Sequence, residues 1–178
     1  MKQEIIMAGF GGQGVMLMGK ILAYAAMESG LQVTWFPSYG PEMRGGTANC
    51  TVIIADSRIY SPFSVRPDVV IVMNKPSLEK FVDQVNHGGI IFVNSSLVTA
   101  DVSRNNLEVI RVAANQIAGE LGTARIANMV MLGSYIARKK IVSLDKIKDS
   151  LKEVLPARRH DLIPVNKQAI DRGYALIE

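Results

Sequence analysis

The chain has 178 residues, 48% of them hydrophobic, with 20 Lys and Arg against 16 Asp and Glu for a formal charge of +4. A chain of this size and apolarity buries roughly 70% of its unfolded surface, which excludes intrinsic disorder and suits one domain over residues 1–178. The pI near 9.3 gives a weak pull on anions rather than the dense basic stripe of a nucleic-acid binder, so no nucleic-acid partner is expected.

The apolar run Glu4 to Gly9 meets a glycine cluster, and good helix formers follow from Val15 to Met27, which predicts a strand, a tight turn and a helix. Gln32 to Phe36 reads as a strand stopped by Pro37. Thr47 to Ala55 and Ile59 to Tyr60, flanking Asp56-Ser-Arg58, read as an antiparallel hairpin. The Val- and Ile-rich runs Asp68 to Met73 and Gly89 to Val93 suit strands buried on both faces. Between them Leu78, Phe81, Val82 and Val85 predict a crossover helix with Ser77 as its cap. Leu107 to Val112 follows as a short strand, and Ala124 to Arg138 as a helix with Arg138, Lys139 and Lys140 at its negative end. Ser143 caps a further helix that stops before Pro156, and the last helix spans Val165 to Ile177. The fold expected is a three-layer α/β/α domain with a mainly parallel sheet and an antiparallel excursion, in which Ile5 to Ala8 and Val69 to Val72 share one sheet. The first helix is apolar round most of its circumference. A sheet covers one side only, so another helix or another subunit must cover the rest.

One cysteine, Cys50, excludes a disulfide within the chain, an all-cysteine zinc site and an iron–sulfur cluster held by this chain alone. Inert burial is the expectation for it, since it lies inside an apolar strand. The start of the chain does not read as a signal peptide, and no window supplies about 18 uninterrupted apolar residues, so a cytoplasmic protein without a membrane partner is expected. Asn49-Cys-Thr51 and Asn94-Ser-Ser96 match the glycosylation sequon and are assigned to chance or backbone hydrogen bonding. His87 and His160 have no metal-ligand spacing, and no catalytic set or metal site is expected.

Three segments can bind. Gly9, Gly11 and Gly14 satisfy the GxGxxG spacing between a strand and a helix, where bare amides of Gly11, Gly12, Gln13 and Gly14 can face an anion. A close-packing turn explains the same glycines. A dinucleotide site also needs an acid at the end of the second strand, and Thr34-Trp-Phe-Pro-Ser38 supplies neither an acid nor an arginine. Pro37 to Asn49 is a stiff loop displaying Tyr39, Glu42 and Arg44, with Gly45 and Gly46 leaving their amides open beside the guanidinium. It fits an anion or subunit site, or a plain Glu42–Arg44 ion pair. Asn74 and Lys75 end a buried strand, where ligands of open α/β sheets gather, although turn and cap chemistry accounts for them as well.

Taken together, the glycine turn, the GPEMRGGTANC core of residues 40–50, Met73 to Leu78, Asn94 to Leu97 and Ala127 to Val130 resemble the gamma subunit of 2-oxoacid:ferredoxin oxidoreductases. The 2-oxoglutarate type is the more similar. The resemblance implies a subunit, inactive alone, of an enzyme that oxidatively decarboxylates a 2-oxoacid with coenzyme A to an acyl-CoA, carbon dioxide and reduced ferredoxin. It further implies that alpha, beta and delta partners hold thiamine diphosphate, Mg and the iron–sulfur clusters. This chain then completes the assembly and contacts coenzyme A through Gly11 to Gly14 and Arg44. The competing readings are a self-contained NAD- or nucleotide-binding protein, resting on the glycine spacing, and an RNA-binding domain, resting on the pI alone.

Overall fold

The structure is a computed structural model that describes residues 1–39 and 47–177. Its sheet has the strand order β2-β3-β1-β4-β5-β6, built from β1 (Lys2–Phe10), β2 (Gln32–Tyr39), β3 (Thr47–Ala55), β4 (Val69–Val72), β5 (Ile90–Asn94) and β6 (Glu108–Val112). β1, β4, β5 and β6 are parallel neighbours, while β3 runs antiparallel to both β1 and β2. Only β3 is therefore reversed, which makes the sheet mainly parallel with one antiparallel excursion. Ile5 pairs with Val69 and Ala8 with Val72, in the one sheet expected of them.

The apolar runs are continuous because alternate residues feed opposite cores. Ile5, Met7, Val69, Ile71, Ile90 and Phe92 face α1 (Val15–Glu28), α3 (Ala114–Glu120), α4 (Ala127–Lys139), α5 (Leu144–Val154) and α6 (Ile163–Ala175). Ile6, Ala8, Val70, Val72, Ile91 and Val93 face Leu78 and Phe81 of α2 (Lys75–Phe81), together with Val85 and Val98. The two outer layers are unequal, five helices against one short helix and its flanking segments. The apolar circumference of α1 is covered inside the chain, by the sheet on one side and by α5 and α4 on the other, and Met27 alone of its large apolar residues stays well exposed.

Four local expectations are corrected. Residues 59–60 form no strand, and β3 pairs instead with β2 and β1, whose eight- and nine-residue ladders offer far more hydrogen bonds than a two-residue partner. Pro37 does not end β2, because β2 is the sheet edge, where one missing N–H costs no ladder bond on its open side. The cap of α2 is Asn74, whose side chain accepts from the Ser77 amide at 2.9 Å, not Ser77. Helix α3 was not signalled, and α6 begins at Ile163, before the expected Val165. Ser143 caps α5 as expected, accepting from the Lys146 amide.

Candidate functional site

The carboxyl ends of β1, β4, β5 and β6 open at one edge of the sheet, the place where an α/β fold presents loops without burying unpaired backbone. The chain leaves β2 at Tyr39 and enters β3 at Thr47 on this same edge, where Thr47 pairs with Phe10. Glu42, Arg44, Gly45 and Gly46 lie outside the described residues, as does the side chain of Tyr39. The segments expected to bind therefore depart from one edge, although they are far apart in sequence.

The glycine turn is held by amides. Gly12 and Gly14 have φ of 95° and 74°, a backbone region that favours glycine. The Gln13 amide donates to Phe10 O at 3.1 Å, and the Phe10 amide returns a bond to Gln13 Oε1 at 2.7 Å. Asn74 Nδ2 donates to the same Oε1 at 3.2 Å, and Gln13 Nε2 donates to Met73 O at 3.3 Å. Gln13 thus ties the end of β1 to the end of β4. Both Gln13 and Asn74 spend polar atoms on this frame, whereas nothing lies within 4 Å of a Cβ built on Gly12. Gly14 caps α1 with no side-chain hydrogen bond, so no capping side chain takes up the first-turn amides. Lys75 is well exposed beside it and pairs with Glu79 at 3.6 Å.

Three residues of this site escaped sequence reasoning. Asn128, 3% exposed, donates from Nδ2 to Gly14 O at 3.0 Å across 114 positions of chain. Its signals in the sequence are polarity inside the apolar stretch Ile126 to Leu132 and its place in the Ala127 to Val130 segment of the family resemblance, neither of which assigned it a role. Asn115 and Arg125 join Gly12, Gln13 and Met73 around a cleft of about 210 Å³, and Asn115 Oδ1 accepts from the buried Asn94 Nδ2 at 2.7 Å. The α3 helix that carries Asn115 is seven residues of weak pattern, so it gave no local signal. Met73, Ala124 and Ala127 supply its apolar lining, and Asn115 and Arg125 its polar groups not already bound within the turn.

Elsewhere the chemistry is structural. Burial pushes the Cys50 thiol up to about 12, and its Sγ donates to Val15 O at 3.4 Å. Burial likewise raises Tyr135, whose hydroxyl donates to Gln3 Oε1 at 2.5 Å. His87 Nδ1 sits 2.8 Å from Asn106 Nδ2, and His160 Nε2 lies 3.0 Å from Leu155 O. Among the described residues no group of three or more His, Cys, Asp or Glu could hold a metal ion, and no helix is long and apolar enough to cross a membrane.

Residues 4–176 match the family described as pyruvate ferredoxin/flavodoxin oxidoreductase. Ketoisovalerate oxidoreductase subunit VorA of Methanothermobacter thermautotrophicus is 42% identical over 173 residues, 96% of this chain and 35% of the relative, so the chain spans about a third of that relative's length. The 2-oxoglutarate synthase subunit KorC of Methanothermobacter marburgensis is 35% identical over 163 residues, covering 88% of each chain. The solved keto/oxoacid ferredoxin oxidoreductase gamma subunit of Geobacter sulfurreducens superposes with a TM-score of 0.85 at 29% identity, over 98% of both chains. The chain belongs to the pyruvate ferredoxin/flavodoxin oxidoreductase family and corresponds along nearly its whole length to a gamma subunit.

Proposed function

We propose that this family member works as the gamma subunit of a multi-subunit enzyme that oxidatively decarboxylates a 2-oxoacid with coenzyme A and passes the electrons to ferredoxin. One observation carries the reading: the match to a gamma subunit runs end to end over 98% of both chains. A single cysteine agrees with iron–sulfur clusters residing in partner chains, as thiamine diphosphate and Mg also would. The substrate we infer is 2-oxoglutarate, on the resemblance of residues 40–50 and on KorC at 35% identity. A branched-chain 2-oxoacid is the second reading, favoured by the 42% identity to a ketoisovalerate oxidoreductase subunit.

Coenzyme A, when bound, supplies the thiol that accepts the acyl group. The fit on this chain is local: the uncapped start of α1, the open space over Gly12 and the Lys75 ammonium can meet its phosphates. Gln13, Asn74 and Asn128 would act by fixing the turn rather than by touching the ligand, because their polar atoms already serve the frame. Arg44, by its planar guanidinium, would add a bidentate anion contact.

Native purification from the source cell tests the reading. The chain should co-elute with larger thiamine-binding chains identified by mass spectrometry. That complex should reduce ferredoxin with coenzyme A and 2-oxoglutarate faster than with 2-oxoisovalerate or pyruvate. Elution of the chain alone, together with micromolar NAD binding, would replace this reading with the self-contained nucleotide binder. A faster rate with 2-oxoisovalerate would select the branched-chain substrate.

A further inference from the structure

We propose that Arg125 and Asn115 form a phosphate subsite for the coenzyme A that this chain meets, in the cleft beside the glycine turn. The inference rests on the gamma-subunit reading and adds the two residues and the chemical group that they take.

Four stretches remote in sequence meet at this cleft of about 210 Å³: Gly12 and Gln13 after β1, Met73 after β4, Asn115 in α3, and Arg125 and Ala127 at the entry to α4. Arg125 is the one charged residue among its described lining. No acid stands in the first turns of α1, α3 or α4 either, so the guanidinium meets no carboxylate from the helices that begin here. Arg125 forms no ion pair with a described residue. Of its donors, only the backbone amide has a partner among the described residues, Thr123 Oγ1 at 3.3 Å. The carbonyl end of Asn115 is already taken, since Oδ1 accepts from Nδ2 of the wholly buried Asn94 at 2.7 Å. That bond sets which way round the amide lies and leaves Asn115 Nδ2 as a donor with no partner among the described residues. An amide held in this way costs little further ordering when a ligand arrives.

A planar guanidinium beside an amide donor matches the oxygens of a phosphate, and the apolar Met73 and Ala127 strengthen a charged contact by keeping water from it. Coenzyme A carries two such groups, its pyrophosphate and its ribose phosphate. The carboxylate of a 2-oxoacid fits the same fork, but the place of the cleft selects between them. The cleft shares Gly12 with the turn, and nothing lies within 4 Å of a Cβ built there, so a ligand lying over the turn has room to reach both donors. The group held here therefore belongs to the ligand whose phosphates the turn meets.

The test uses the assembled enzyme with Arg125→Ala, Arg125→Lys and Asn115→Asp, and with Arg158→Ala as a control for the loss of an exposed charge elsewhere. Asn115→Asp keeps an acceptor for Asn94 and replaces the free donor with a carboxylate, so it separates the fold from the ligand contact. Calorimetry of coenzyme A binding without 2-oxoacid should show Kd raised ~10-fold or more by Arg125→Ala and by Asn115→Asp, and less by Arg125→Lys, which keeps the charge but loses the fork. KM for coenzyme A should rise in parallel, while KM for the 2-oxoacid and the melting temperature of the ligand-free complex stay at wild type. Arg158→Ala should match wild type throughout. Dephospho-coenzyme A, which lacks the ribose phosphate, identifies the group within the upheld subsite. If Arg125→Ala leaves its Kd unmoved, the ribose phosphate is the group held; if Arg125→Ala weakens it as it weakens coenzyme A, the pyrophosphate is. Wild-type affinity for coenzyme A in Arg125→Ala and Asn115→Asp overturns the subsite and leaves the gamma-subunit reading standing. A raised KM for the 2-oxoacid with unchanged coenzyme A affinity overturns the choice of ligand. Affinity lost only together with a fallen melting temperature in both variants assigns the two residues to the fold and overturns the subsite. A wild-type complex that turns over no 2-oxoacid with coenzyme A overturns both the subsite and the reading.

Discussion

Gly133 of α4 and Gly173 of α6 form a reciprocal contact: a Cβ on Gly133 would run into the backbone carbonyl of Ile170, and a Cβ on Gly173 into that of Val130. Ser134 reinforces the crossing, donating from Oγ to Gly173 O at 3.0 Å and to Val130 O at 3.1 Å. The two helices approach at backbone distance because neither glycine has a side chain, and Val130, Tyr135 and Ile170 pack around the crossing.

Gly133→Ala should therefore be costly, although alanine is the better helix former. The clashing atoms are backbone and cannot rotate away, so overpacking of about 2–3 kcal/mol outweighs a helix-propensity gain of about 1 kcal/mol. Gly119, in α3 with nothing within 4 Å of its Cβ direction, is the contrast. Gly119→Ala should stabilise by about 0.5 kcal/mol. Thermal unfolding of both variants checks the opposite signs, with a fall of roughly 2–8 °C for the first and a small rise for the second.

The two left-handed glycines of the turn should respond differently. Gly12→Ala meets open space and pays only the backbone strain of φ 95°, about 1 kcal/mol. Gly14→Ala adds a collision with the Asn128 side chain to the same kind of strain. It should cost about 2 kcal/mol or more and displace the Asn128 bond to Gly14 O. Asn128→Ala loses that bond while making room. Combining Asn128→Ala with Gly14→Ala should thus cost less than the sum of the two, a coupling that a double-mutant cycle of unfolding free energies measures.

Cys50 should resist alkylation by iodoacetamide at pH 8 in the folded chain and react at once in denaturant. Desolvation by burial is the first cause of its raised pKa, and the neighbouring Trp35 side chain and Gly19 backbone pull the other way without reversing it. Its stability contribution has a sign. The thiol stays protonated in the folded chain up to about pH 12, whereas the unfolded thiol ionises from about pH 9. Between those values the unfolded state binds fewer protons, so stability falls with rising pH, by at most about 1.4 kcal/mol per pH unit from this group. Cys50→Ala should flatten the alkaline limb of a melting-temperature profile, while its overall stability drops because the thiol fills the space beside Gly19.

Glu108 and Arg138 make a two-pronged pair, Nε to Oε1 at 2.7 Å and Nη2 to Oε2 at 2.6 Å, joining β6 to the end of α4. The hydrogen bonds from Arg138 hold the Glu108 carboxyl below its usual range. A depressed carboxyl contributes stability above its unfolded pKa, about 4.5, that is lost as acid protonates it. Both side chains are some 40% exposed, so solvent screening keeps the effect within about 0.5–1 kcal/mol. Glu108→Gln should therefore lower the melting temperature slightly at pH 7 in low salt, converge with wild type in 1 M salt, and lose its difference from wild type only as the pH falls through the depressed folded-state pKa of Glu108.

The sequence by itself determined what neighbouring residues decide. The β1–turn–α1 unit, the buried β4 and β5 and the Ser143 cap of α5 follow from apolar periodicity, positive-φ glycines and a side-chain oxygen a few positions from its amide, all local quantities. The glycine turn and Asn74 were marked by residue type and by position at a strand end. Tertiary structure alone decided the rest. Every strand offers the same N–H and C=O groups, so nothing in Thr47 to Ala55 announces that β2 and β1, rather than residues 59–60, will take them; packing the apolar β3 between two long strands settled it. Asn128 reached the turn only because α4 lies beside the start of α1, a side-chain bond spanning 114 residues that no local pattern encodes. Gln13 with Asn74, Asn94 with Asn115, and Asn128 with Gly14 likewise met because parallel strands bring their carboxyl ends to a common edge, where polar groups far apart in the chain find one another.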